Sequence, residues 1–326
     1  MKKTPTLILV AFAVMLALVS CARQNSISSD VTIDLTDTPS LITEDANTEN
    51  DLNVNETKDD LVVGGNASSP SEVIVPILMF HDVKTYEGGT WSMSADNFRG
   101  TLEFLLAKGY TPISFELLVD FVDEMSGIPE NPVCITLDDG YFSNYRNVLP
   151  IITELDIPVT VFMTCKTVRS EEIIPSTDEN VLYKMSSAEL EIMQMSPFVQ
   201  IQSHSYGLHG VNTSYSDVER DNLMPLETES KTAYKEMFSA DCELAEEVLN
   251  NVGVDKQIAF SYPSGKHHGW AEEVLRERNY RVSVTTDYGH KNLVIKGNRE
   301  SLFLLGRMNV NDETTEADLL RYLERN

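Results

Sequence analysis

Between Pro132 and Tyr145 the chain reads Pro-Val-Cys-Ile-Thr-Leu-Asp-Asp-Gly-Tyr-Phe-Ser-Asn-Tyr. Val133–Leu137 is short, apolar and rich in β-branched residues, with no period of three or four. That is the pattern of a strand buried on both faces of a parallel sheet. It stops on two adjacent carboxylates, Asp138 and Asp139, followed by Gly140. Neighbours within a strand point to opposite faces. At a strand end, where glycine permits a sharp turn, both can reach one cleft. Like charges this close repel, so the pair calls for a cation or a proton. An isolated Asp-Asp-Gly also fits a solvated acidic turn, and the remaining chain has to decide between the two.

The flanking sequence alternates strand and helix. Val73–Phe80 is a strand candidate that ends at His81-Asp82. Ala95–Lys108 carries Phe98, Leu102, Leu105 and Leu106 at helical spacing, behind a Ser94 cap and ahead of Gly109. Further strands are predicted at Thr111–Ser114, Pro158–Thr164, Val199–Ser203, Ile258–Tyr262, Arg281–Thr285 and Ser301–Leu305. Helices are predicted at Phe115–Glu124, Tyr141–Leu155 (broken or kinked at Pro150), Ser187–Met195, Thr228–Val252, Trp270–Arg278 and Thr315–Glu324. Repeated strand–helix units predict an α/β parallel barrel or an open doubly wound sheet. No dinucleotide-binding glycine pattern follows any strand, which favours the barrel.

In both architectures the functional site lies at the carboxyl ends of the strands. The polar residues just past each strand are His81-Asp82, Asp138-Asp139, His204 with His209, and Pro263-Ser264-Gly265 followed by His267-His268. Of the six histidines, His81, His204, His209, His267 and His268 are at these positions and only His290 is elsewhere. His204 and His209 are five apart, so on a helix they would face different sides. Gly207 instead supports a loop that folds back and turns both rings to one point. Two neutral imidazoles and a carboxylate make a three-ligand set with open positions, the catalytic form of a divalent site.

These residues carry a resemblance to a known family. Thr136-Leu137-Asp138-Asp139-Gly140 is similar to the Thr-Phe-Asp-Asp-Gly motif of the polysaccharide deacetylases, carbohydrate esterase family 4. His204-Ser205 with His209 resembles the family's second motif, and the longer gap resembles a branch of surface poly-N-acetylglucosamine deacetylases. Met79-Phe80-His81 matches that branch's opening strand, and Ser261-Tyr262-Pro263-Ser264-Gly265 the third motif. The resemblance covers 73–326 and implies a distorted, incomplete (β/α) barrel. It implies that Asp139, His204 and His209 bind a divalent metal, for which zinc suits the donors and cobalt, nickel or iron are compatible. It implies Asp138 as general base and the backbone N–H of Tyr141 as an oxyanion donor. Pro263, Gly265 and Arg307 are the substrate-binding candidates. The chain also departs from the family: Ser261 stands where many members have an arginine that orients the base. Leu304-Leu305-Gly306-Arg307-Met308 lacks the late histidine that many use as acid. His81 is the candidate acid, with His267 and His268 as alternatives. Arg307 either orients Asp138 or pairs with a rim acid.

The amino end carries a second resemblance. Lys2 and Lys3 precede an apolar run, Leu7 to Val19, that ends in Leu18-Val19-Ser20-Cys21. This resembles a bacterial lipoprotein signal and implies removal of 1–20 and lipidation of Cys21, although a plain secretory signal or short anchor also fits. From Asn25 to Glu72, eleven acids against one base, Lys58, leave a net charge of −10. Such a segment buries too little apolar area to order itself, so 21–72 reads as a disordered tether. The formal net charge of −26 argues against nucleic acid as a partner and against adhesion to anionic lipid, leaving the lipid on Cys21 as the membrane link. Beyond Cys21 an odd number of cysteines remains: Cys134, Cys165 and Cys242. Cys134 and Cys165 read as core thiols, with a bridge between them left open. The expected protein is a metal-dependent hydrolase on the extracytoplasmic side of the cell membrane, removing N-acetyl groups from an N-acetylglucosamine-containing polysaccharide. An O-acetyl esterase with the same site, and a glycan-binding surface lipoprotein without catalysis, are the alternatives.

Overall fold

The computed structural model describes residues 70–86, 88–210, 213–215 and 218–325. The expected signal peptide, Cys21 and nearly all of the acidic tether lie outside the described residues. The first half comprises β1 (Glu72–Ile74), β2 (Ile77–Phe80), β3 (Asp82–Lys84), β4 (Ser92–Ser94), α1 (Ala95–Ala107), β5 (Thr111–Pro112), α2 (Phe115–Val122), β6 (Pro132–Asp138), α3 (Leu149–Leu155) and β7 (Val159–Met163). The second half comprises α4 (Ser187–Gln194), β8 (Val199–Ser203), β9 (Thr213–Tyr215), β10 (Val218–Arg220), α5 (Lys231–Asn251), β11 (Ala259–Ser261), α6 (Gly269–Glu277), β12 (Val282–Val284), β13 (Leu293–Ile295), β14 (Met308–Asn309) and α7 (Glu316–Arg325).

One curled parallel sheet runs in the order β12-β11-β8-β7-β6-β2-β14, with β5 paired to the start of β6. Its edges approach through a single parallel bridge, Val284–Leu305. There the Leu305 N–H donates to Ser283 O at 2.9 Å and the Thr285 N–H donates to Leu305 O at 2.8 Å. The result is the incomplete (β/α) barrel that the sequence led us to expect. Parallel strands need covering on both faces, and β2, β6 and β7 are buried throughout. Alternate residues serve different layers: Leu78, Phe80, Ile135 and Leu137 join Phe98, Leu102 and Leu105 of α1. Ile77 and Cys134 join Phe115, Leu118 and Phe121 of α2.

Two expectations change. The predicted strand Val73–Phe80 is two strands, because Pro76 has no N–H to donate to a ladder. Its carbonyl still accepts from Cys134 at 3.0 Å, but β1 leaves the barrel to pair antiparallel with β13. The helix Tyr141–Leu155 is interrupted beside Pro150, as expected, by a π-helical turn, Asn144–Val148. Ser301–Leu305 is not a strand: Leu304 takes a left-handed φ of 58°, which interrupts extended backbone, and pairing resumes at β14. Cys134, Cys165 and Cys242 are free, buried thiols, so the bridge left open does not form. Burial pushes the thiols of Cys134 and Cys165 up.

The loop before α1 is tied to the carboxyl-terminal part of the chain by one side chain. Asp312 accepts from the backbone N–H of Gly88 and of Ser94 (3.0 Å) and from Asn97 Nδ2 (2.8 Å). Ser94 caps α1 as expected, its Oγ accepting from the Asn97 N–H at 3.2 Å. Burial works to raise the Asp312 carboxyl, but the donated N–H groups outweigh it and hold it below its ordinary range. A carboxyl depressed in the folded state stabilises above its unfolded pKa, and that stability is lost as pH falls through the folded value. Asp312→Asn is therefore expected to cost about 2 kcal/mol at neutral pH. In urea denaturation the gap from wild type should close as pH drops below the ordinary carboxylate range.

Candidate active site

The acidic pair diverges at the end of β6. Asp138 ends the strand and is 2% exposed. Asp139 turns into the left-handed region at φ 71° and Gly140 follows at φ 65°. Aspartate tolerates this conformation better than most residues. Gly140 also makes room: a Cβ there would stand 1.9 Å from Met163 Sδ on neighbouring β7, so that side chain would have to move. On the other side of β7, β8 ends at Ser203 and the chain continues into His204, whose N–H donates to Met163 O at 2.9 Å.

These turns bring together three of the residues singled out from sequence. His209 Nε2 lies 3.1 Å, and His204 Nε2 3.7 Å, from Asp139 Oδ1. One ligand atom from each of the three falls within 4.8 Å of the others. His204 Nδ1 is 2.7 Å from Ser261 O. A carbonyl only accepts, so Nδ1 carries the proton and Nε2 turns a lone pair toward the carboxylates. Burial lowers the His204 pKa to about 4, so the ring is neutral at neutral pH. Asp139 Oδ1 is buried and faces both imidazole Nε2 atoms. The His204 lone pair facing this carboxylate is repulsive unless a cation or a proton stands between them. Ligands at zinc distances in a tetrahedral site stand about 3.3–3.5 Å apart, comparable to these separations. The residues fit a divalent ion, with Asp139, His204 and His209 as its holders.

Asp138 Oδ2 is also 3.7 Å from His204 Nε2, but this carboxylate is held from the other side. Arg307 grips it bidentately, Nη1 to Oδ1 and Nη2 to Oδ2, each at 2.7 Å. The same guanidinium donates to Thr136 Oγ1 (3.0 Å), Ser261 Oγ (2.8 Å) and Thr285 O (3.1 Å). Ser261 Oγ lies 3.2 Å from Asp138 Oδ2. Burial alone would raise the Asp138 pKa; Arg307 more than offsets it and brings the carboxyl to about 2. Arg307 is completely buried, so it has no surface to offer a sugar. Its predicted substrate-binding role is corrected: it is the partner of Asp138, one of the two roles left open by its sequence.

A cleft of about 930 Å³ opens above these groups, lined among others by His81, Trp91, Asp138, Asp139, Tyr141 and Ser264. Its size suits a small-molecule or sugar ligand. His81 faces it with a buried, unpartnered Nδ1, and burial lowers its pKa. Tyr141 forms an isolated antiparallel bridge with Lys184. The bridge bonds run from Phe142 N–H to Tyr183 O and from Met185 N–H to Gly140 O, so Tyr141's own N–H takes no part in the pairing. The other two predicted contacts change. Pro263 is buried, and Gly265 packs so closely on Thr286 that a Cβ would meet its Oγ1 at 2.1 Å. Ser264 between them lines the cleft instead. His268 accepts from the Trp270 N–H to cap α6, and His267 is exposed beside Gly265 O. Neither lines the cleft, so the alternatives to His81 fall away.

Sequence reasoning missed Lys184, whose Nζ lies 3.7 Å from Asp139 Oδ2 and 3.5 Å from the centre of the Tyr141 ring. It also missed Lys84, whose Nζ lies 3.6 Å from Asp82 on β3, both residues being on the cleft wall. The stretch holding Lys184 has no hydrophobic period that would have flagged it. Arg307→Met is expected to destabilise the fold by about 3–5 kcal/mol, since it strands a buried carboxylate. Adding Asp138→Asn should recover part of that loss, and a double-mutant cycle in urea measures the coupling.

The family profile described as Polysaccharide deacetylase matches residues 127–283. YxkH of Bacillus subtilis is 22% identical over 242 residues, covering 73% of each chain. The poly-beta-1,6-N-acetyl-D-glucosamine N-deacetylase of Escherichia coli K12 is 24% identical over 218 residues, 62% of this chain but only 32% of that longer protein. The solved de-N-acetylase from Aggregatibacter actinomycetemcomitans superposes with a TM-score of 0.62 at 20% identity, covering 76% of this chain and 99% of that one, a likeness of fold. With the paired carboxylates, the two histidines and the half-closed barrel already in place, this chain carries a polysaccharide deacetylase domain of carbohydrate esterase family 4.

Proposed function

We propose that the domain is a metal-dependent hydrolase that removes N-acetyl groups from an N-acetylglucosamine-containing polysaccharide outside the cytoplasm. The observation that carries this is the convergence of Asp139, His204 and His209 beside a separately held carboxylate, Asp138, at the floor of one cleft. The donor set of two imidazoles and a carboxylate suits zinc, and cobalt, nickel or iron as well. A divalent cation held there polarises the acetamide carbonyl and lowers the pKa of water.

The chain's own groups divide the remaining work. Asp138 is kept ionised and oriented by Arg307 and accepts the proton of the attacking water. The Tyr141 N–H donates to the carbonyl oxygen as it gains charge. His81, which lines the same cleft, acts in its protonated form and gives that proton to the nitrogen as the C–N bond breaks. The products are acetate and a free amine. Trp91 and Tyr288, 59% and 52% exposed, line the same cleft and offer faces for pyranose rings. The relative acting on a β-1,6-linked N-acetylglucosamine polymer supports that substrate class. The lipoprotein-like start, with Cys21 as the lipidated residue, supports attachment to the outer side of the cell membrane.

The test is acetate release from N-acetylglucosamine oligomers by metal-loaded protein. Asp138→Asn is expected to lower kcat by about 10²–10⁴-fold while metal stays bound. Asp139→Asn and a chelator should each abolish release by removing the metal. Metal binding with no release across N- and O-acetylated glycans would overturn the proposal, and release from O-acetyl substrates alone would replace it with an esterase.

A further inference from the structure

The loop between the two imidazoles is gripped by a carboxylate from another element. Asp241 lies midway along α5 and is completely buried. Its Oδ2 accepts from the Tyr206 N–H at 2.9 Å, and its Oδ1 from the Gly207 N–H at 3.0 Å. Oδ1 also accepts from the Tyr215 hydroxyl. On the other side of the loop, the N–H groups of Cys165 and Lys166 donate to the carbonyls of Ser205 (3.1 Å) and Tyr206 (2.9 Å). The loop needs this hold, because Ser205, directly after His204, sits at a left-handed φ of 75° that a serine seldom adopts.

We infer that Asp241 is a positioning residue for the metal site, fixing the segment 205–208 so that the His204 and His209 Nε2 atoms converge with Asp139 Oδ1. The inference rests on reading those three residues as metal ligands. A carboxylate is suited to the task because two neighbouring N–H groups meet two different oxygens. An asparagine can accept from one of them only, and turns its own N–H toward the other. A buried acid on the apolar side of a helix is costly unless such donors meet it, and burial pushes this carboxyl up despite them. A leucine or alanine at this position would suit the helix but leave the loop's N–H groups without an acceptor. Partners one shell out from a metal commonly alter its affinity by 10–100-fold.

The experiment uses the full chain with Co(II) and Zn(II) as probes, read by competition titration and by the visible absorption of bound Co(II). Asp241→Asn should weaken binding by about 10–100-fold and shift the Co(II) bands. Tyr215→Phe, which removes one donor to Asp241, should weaken it less, in the same direction. Leu249→Ala, two turns along the same helix at a fully buried site, should lower the melting temperature and leave affinity and spectrum as in wild type. If wild type binds neither ion, the metal reading itself fails. If wild type binds and Asp241→Asn matches it in affinity and spectrum, the inference is overturned. Equal weakening in Leu249→Ala overturns it too, by making the effect one of general stability. Should Asp241→Asn fail to fold, wild-type binding in Tyr215→Phe overturns it.

Discussion

The guanidinium of Arg307 is the group on which the interior of this barrel depends. A parallel barrel ordinarily fills its centre with layers of branched apolar side chains. Here a fully buried arginine reaches Thr136 and Asp138 on β6, Ser261 on β11 and the carbonyl of Thr285 beyond β12. The Thr285 contact lies beside the Val284–Leu305 bridge that closes the seam, and the others reach inward to β11 and β6. A buried charge is tolerable only when its donors are met, and this one is met by a carboxylate, two hydroxyls and a carbonyl. The seam and the orientation of Asp138 are thus set by the same side chain.

That pairing also separates the roles of two adjacent acids. Asp138 faces a permanent cation and is settled by it. Asp139 turns away, leaving Oδ1 opposite two imidazole nitrogens. The chain thereby gathers a carboxylate and two imidazoles into an arrangement that a cation satisfies. The supports are spread widely: Ser261 sets the His204 tautomer, Gly140 gives β6 room to turn against Met163, and Asp241 secures the loop between the histidines.

Much of this was readable beforehand, for a physical reason. A strand buried on both faces has a continuous apolar run, and its end is marked by the first charged residues. Asp138-Asp139-Gly140 and His204 were found that way, and the turn of Gly207 brought in His209. The errors have equally specific causes. Pro263 and Gly265 looked like cleft residues because they follow a strand, but a proline–glycine turn is as often built for close packing, and Ser264 holds the exposed position. Pro76 sat inside an apolar run that read as continuous until the ladder partners were known. Lys184 and Asp241 gave no signal, since one lies in an aperiodic segment and the other in a long helix already rich in acids.

The sequence by itself determined which residues are candidate ligands and at which strand ends they stand, because side-chain periodicity and turn chemistry are local and survive without the fold. Only the tertiary structure decided the partners of those residues. Arg307 is 169 positions from Asp138, and Asp241 is 34 from Gly207. Nothing in their neighbourhoods distinguishes them from a surface arginine or a solvated helical acid. Their meaning comes from burial and from the donors and acceptors that meet them there, and those are properties of the folded chain.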